Sequence, residues 1–301
     1  MKQIISLCIS VLLLPTILSA QIIVNDSWAD GNRLNTGPLQ ADWWSSTSTG
    51  NNSVEAGAGY LGLVTGTSGR GLHGTFTPQT LAIGDKLTAT FSFSTPATVG
   101  SESGGGGFRF AIADFNNAGL AADLQSGSTF VQPLFQNLPS YMVDFDVNRP
   151  LVADDTSIRE HMLPEPAGAG RFMGTTAGWT QLGTSTDVDY TFAPNTEYVA
   201  VISLTRTGAD SMDIFGSLSQ GSTLLTSHSL SDTSGIVNHI GLVGVWANSG
   251  LFGSSPTIGA ADNGIDFTNV KIEYTPVPEP SGLALLALGA AGLLLRRRLV
   301  K

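Results

Sequence analysis

Three groups of side chains in this chain have types and spacings that permit chemistry. Asp144, Asp146 and Asn148 alternate along Tyr141-Met142-Val143-Asp144-Phe145-Asp146-Val147-Asn148, so in a strand they project from one face. Such a row can share a proton, hold a hard cation or accept hydrogen bonds from sugar hydroxyls. Asn25 to Asn32 concentrates oxygen-bearing side chains around Gly31, a composition that suits calcium and that Asx turns explain equally well. If an ion ties the first strand to the last, its ligands are Asp26 and Asp30 with Asp266 from the far end of the chain. Trp43 and Trp44 are adjacent, so in a strand one enters the core and the other faces away, free to stack on a sugar ring or to lie under a loop.

Other chemistry is excluded by what these residues lack. Glu160-His161 sits in the long irregular stretch from Arg149 to Thr186, without zinc spacing to His228 or His239, and there is no Gly-x-Ser-x-Gly elbow. Gly104 to Gly107 leads into a strand at Phe108, not a helix, and has no following Lys-Ser or Lys-Thr, so it is not a phosphate loop. Cys8, the one cysteine, lies inside the amino-terminal apolar run, which leaves the mature chain without disulfides, thiolate metal sites or a cysteine nucleophile. All 24 acidic residues lie between 21 and 280 against nine Lys and Arg, a net charge of −15 there, which is the wrong sign for nucleic acid.

The elements that must position these groups read as strands. Leu87 to Ser94 alternates apolar residues with hydroxyls, and Phe108 to Ala113, Tyr141 to Asn148 and Tyr198 to Thr205 also alternate. Ile240 to Trp246 is apolar on both faces and belongs at the centre of a sheet. Ile265 to Tyr274 slips its alternation near Asn269, which predicts a bulge. Further strands are expected at 42–47, 53–56, 60–65, 72–76, 189–192, 212–218 and 224–229, with turns at 82–85, 207–210 and 219–222. About a dozen strands at this spacing, with no internal repeat, predict an all-β, two-sheet antiparallel β-sandwich. The order of elements, with Asn195-Thr196-Glu197-Tyr198 ahead of a strand and a hairpin pair from Arg206 to Ser229, resembles the concanavalin-like jelly roll of laminin-G-type and legume-lectin-type domains. Retaining glucanases of that fold keep their carboxyl pair on a strand face. Asn148 stands where a Glu would be needed and cannot protonate a leaving sugar oxygen, so the resemblance implies a binder of polysaccharide, with a glycoside hydrolase or polysaccharide lyase, or a matrix protein without specific ligand, as alternatives.

The two ends address the protein. Met1-Lys2, the apolar run Ile4 to Leu18 and Ser19-Ala20 form a secretory signal peptide over 1–20. Residues 21–275 are the sandwich domain. At 276–301 a proline-rich joint precedes an uncharged run to Leu295, about 22 Å long as a helix from Ser281 and so short for a permanent span, and then Arg296-Arg297-Arg298. Val277-Pro278-Glu279-Pro280, the small-residue helix and the arginines resemble the PEP-CTERM sorting signal of Gram-negative bacteria. That resemblance implies export, transient membrane insertion and cutting near Pro278-Glu279-Pro280 by an exosortase, with release to the cell surface or extracellular matrix. An unprocessed anchor is the alternative.

Overall fold

The computed structural model describes residues 19–46, 54–65, 69–100, 107–115, 138–145, 155–161, 176–187, 190–248 and 262–277, with isolated positions between them. The signal segment to Leu18 and the sorting segment from Pro278 onward, with the flanking helices expected there, lie outside the described residues. No helix among the described residues is long and apolar enough to cross a membrane.

The described chain forms fifteen strands: β1 (Gln21–Asp26), β2 (Asp42–Ser46), β3 (Val54–Gly57), β4 (Tyr60–Val64), β5 (Arg70–Thr80), β6 (Lys86–Ser94), β7 (Phe108–Ala113), β8 (Ser140–Phe145), β9 (Asp155–His161), β10 (Trp179–Asp187), β11 (Glu197–Arg206), β12 (Met212–Gln220), β13 (Thr223–Asp232), β14 (His239–Ala247) and β15 (Gly264–Thr275). They make the expected two-sheet antiparallel sandwich. One sheet runs β13-β12-β11-β6-β15-β4-β3, with β1 also paired to β15; the other runs β10-β9-β8-β7-β14-β5-β2. β14 is interior to its sheet, as its apolar run requires, and the register between β15 and β6 shifts between Phe267 and Asn269, where the bulge was expected.

Alternation builds the core. Leu87, Ala89, Phe91 and Phe93 of β6 and Tyr198, Ala200, Ile202 and Leu204 of β11 meet Phe108, Phe110, Tyr141, Val143 and Phe145 from the other sheet, all buried. Phe91 and Phe110 are 4.9 Å apart and Phe93 and Phe108 5.1 Å, tilted and edge-to-face arrangements that add about 0.5–1.5 kcal/mol each beyond area burial. One side of the sandwich closes where β13 approaches β9 and β10, with the Thr156 and Thr226 hydroxyls 2.8 Å apart and Thr186 Oγ1 2.8 Å from His228 Nδ1.

Three findings depart from the expected elements. β1 pairs with β15, so hydrogen bonds tie the first strand to the last. The stretch from Arg149 to Thr186, expected to be irregular, holds β9 and all but the last residue of β10; Thr156 and Glu160 on inward positions blur the apolar alternation of β9. Tyr190 to Phe192 is not a strand; Phe192 caps the core edge-on against Tyr198 at 4.8 Å.

Candidate functional site

Asp144 stands on the outer face of the β8 sheet, yet it is buried. Its carboxylate lies 3.1 Å from Arg109 Nε and 3.7 Å from Arg159 Nε, and Arg109 Nη1 donates to the Met173 carbonyl at 2.5 Å. A second apolar cluster covers this face, with Phe115, Phe135, Leu138 and Met173 laid over Met142, Leu242 and Trp246. The expected solvent-facing row is thereby corrected at Asp144: alternation assigns a side chain to a face, but not what later segments place over it. Asp146 and Asn148 lie outside the described residues. On the same face His161 contacts the Leu138 carbonyl through Nδ1 at 3.0 Å and packs at a tilt against Trp179, with ring centroids 4.9 Å apart.

The tryptophans divide as alternation requires. Trp43 is fully buried beside Trp28, 5.6 Å away, and its indole N–H donates to Asp26 Oδ2 at 2.8 Å. Trp44 is half-buried on the opposite face, in register with His73.

The three expected calcium ligands are not brought together. Asp26 also accepts from the Trp28 and Ala41 amides at 3.1 and 3.4 Å, and burial pushes its carboxyl up. Asp30 forms an Asx turn with the Asn32 amide at 3.0 Å; the Thr36 hydroxyl, that amide and Gln40 hold its carboxyl down to about 2. Protein donors therefore satisfy this loop. Asp266 lies instead beside Glu55, above Gly62. Among the described residues no three His, Cys, Asp or Glu side chains are grouped to hold a metal.

Two surface features carry the remaining chemistry, and no motif announced either. A Cβ on Gly62 would lie 3.0 Å from both Glu55 Oε1 and Asp266 Oδ1, so these two oxygens are at most 6.0 Å apart. Glu55 Oε2 accepts from the Gly259 amide at 2.6 Å and Asn263 Nδ2 at 3.2 Å. Burial, with Glu55 beside it, pushes Asp266 up to about 6. The cleft, about 530 Å³, is also lined by Tyr60, Ser94, Asn195 and Glu197. The second feature is a groove of about 560 Å³ on the outer face of β11 to β13. Phe215, 37% exposed, lies among Lys86, Ser203, Thr205, Asp213, Ser229 and Ser231. Its signal was available: with Met212, Ile214 and Leu218 turned inward, Phe215 is a large aromatic at an outward position.

At the carboxyl end, Val277 follows β15 and its amide donates to Asp85 Oδ1 at 2.8 Å. Residues 276–298 match the family model for the PEP-CTERM protein-sorting motif. The chain carries a PEP-CTERM motif. Of the expected sorting residues only Val277 is described; Pro278, Glu279, Pro280 and Arg296 to Arg298 lie outside the described residues. No curated protein matches this chain. Among solved structures, it is similar to basic winged bean lectin with Tn-antigen, at 15% identity and TM-score 0.43, over 78% of this chain and 99% of that one. It is similar to an endo-1,3-beta-glucanase from Streptomyces sioyaensis at 15% identity and TM-score 0.44, over 86% and 97%. It is also similar to the Ca2+/Man2-bound exoplasmic/lumenal domain of VIP36 at 10% identity and TM-score 0.45, over 83% and 86%.

Proposed function

We propose that this chain is an exported, exosortase-sorted surface protein whose sandwich binds extracellular polysaccharide without cutting it. The PEP-CTERM motif at 276–298 supports the sorting half. Phe215 carries the binding half. An aromatic ring more than a third exposed, among hydroxyls and one charge of each sign, matches a sugar ring: its C–H face covers the phenyl group while its hydroxyls meet Thr205, Ser229 and Ser231. The net negative charge of the domain favours a neutral polymer.

The Glu55–Asp266 pair favours a second reading, a glycoside hydrolase, since retaining enzymes hold their carboxyl groups about 5 to 5.5 Å apart. The non-catalytic reading is preferred because Glu55 is engaged by Gly259 and Asn263, which weakens it as a nucleophile. A glycan array of residues 21–277, run with and without calcium, tests the proposal. Binding should fall roughly two- to tenfold in Phe215→Ala, the worth of about 0.5–1.5 kcal/mol for an aromatic contact. Absence of binding to any glycan would favour a matrix protein without ligand. Reducing-sugar release abolished by Asp266→Asn would favour the hydrolase.

A further inference from the structure

The junction between the sandwich and the sorting motif is a built contact. Asp85, at the turn between β5 and β6, accepts hydrogen bonds from the Ala82 and Val277 amides, both at 2.8 Å, and from the Tyr274 hydroxyl. Val277 lies so close over Gly84 that a Cβ there would come within 2.6 Å of Val277 Cγ2, and Gly84 has φ +94°, where glycine is favoured. Arg206 braces the turn: its amide donates to the Asp85 carbonyl at 3.0 Å and its guanidinium to the Leu81 carbonyl at 2.8 Å. The chain therefore leaves the domain from a fixed point.

Two apolar side chains flank that point in the open, Ile83 at 58% exposure and Val277 at 44%. Five residues beyond Val277 begins the uncharged run Gly282 to Leu295. Five residues span at most about 18 Å fully extended. This end of the sandwich is thus leashed close to the apolar run, while the other end of β6 and β12 is about 26 Å further along the strands. At the near end Lys86 and Arg206 stand with Asp85, Asp210 and Asp213, so this end carries no excess of positive charge.

We propose that the Ala82–Gly84 turn together with Val277 is the membrane-facing surface of the protein, resting Ile83 and Val277 on the bilayer interface while the apolar run is inserted. The inference rests on the sorting reading, because it needs that run in the membrane. With no excess of positive charge at this end, the contact is made by the apolar side chains and not by attraction to anionic headgroups. The Glu55–Asp266 cleft, lined by Ser94 and Glu197 at the opposite end of β6 and β11, then faces away from the membrane.

The test uses residues 21–301, which lack the signal peptide and Cys8, reconstituted in phosphatidylethanolamine–phosphatidylglycerol vesicles and carrying a fluorophore on a single cysteine at Ala82→Cys or at Thr223→Cys on the far hairpin. Headgroup-borne quenchers should act at least about threefold more strongly at position 82, since about 26 Å of strand separates the two sites. Ile83→Asp should abolish the difference. Equal quenching at both sites in vesicle-bound protein, or a difference unchanged by Ile83→Asp, would overturn this proposal alone. Failure of residues 21–301 to float with vesicles would overturn the sorting reading with it.

Discussion

Asp266 and Glu160 are carboxyl groups held above their ordinary range, Asp266 to about 6 by burial with Glu55 beside it and Glu160 to about 7 by burial with Asp232. For each, the folded state binds a proton more tightly than the unfolded chain. Their contribution is therefore fully favourable below the ordinary carboxylate range, near pH 4, and is lost as pH rises through about 6 and 7. Asp266→Asn, which keeps the shape of the protonated acid, should flatten the part of the stability profile between pH 4 and 6. It should also raise stability at pH 7 by on the order of 1–2 kcal/mol. Urea unfolding at the two pH values measures this, and an unchanged pH slope would show that the carboxyl titrates normally. The residue types at this cleft were legible in the sequence, but their meeting was not. Glu55 and Asp266 are 211 positions apart and become neighbours only because β3 and β15 both pair with β4.

At the scale of elements, the outer face of the β8 sheet is a buried polar layer. Asp144 neutralises Arg109 and Arg159 beneath Met173 and Trp246. Removing it leaves the buried Arg109 guanidinium without its counter-charge, so Asp144→Ala should cost about 3–5 kcal/mol of stability. Chemical denaturation checks the figure, and a loss below about 1 kcal/mol would mean that water reaches the pair. Glycan binding through the Phe215 groove, on the other sheet, should be unchanged in the folded variant. Most strands were legible because one face of each is apolar, as in β6 and β11. β9 and β10 were not, since a strand with Thr156 and Glu160 inward and Arg159 and His161 outward under a covering layer has little polarity contrast between its faces.

For the molecule as a whole, the sorting motif and the sandwich meet at Asp85, and processing should depend on the motif. Glu279→Ala leaves the apolar run intact, so it should still insert in the membrane but fail to be released. Mass spectrometry of surface material should find wild-type chains ending near the proline-rich joint, and an intact Lys301 terminus there would refute processing. The sequence alone determined the address, because a proline-rich joint, an apolar run and an arginine cluster act through local composition and order. It also determined the sandwich, because period-two alternation commits each strand to an inner and an outer face. Only the tertiary structure decided which outer faces meet water. It buried Asp144 under Met173, satisfied Asp26 and Asp30 with protein donors, set Glu55 against Asp266 and left Phe215 in the open. Each of these outcomes depends on pairing register and on segments distant in the chain, which local pattern does not encode.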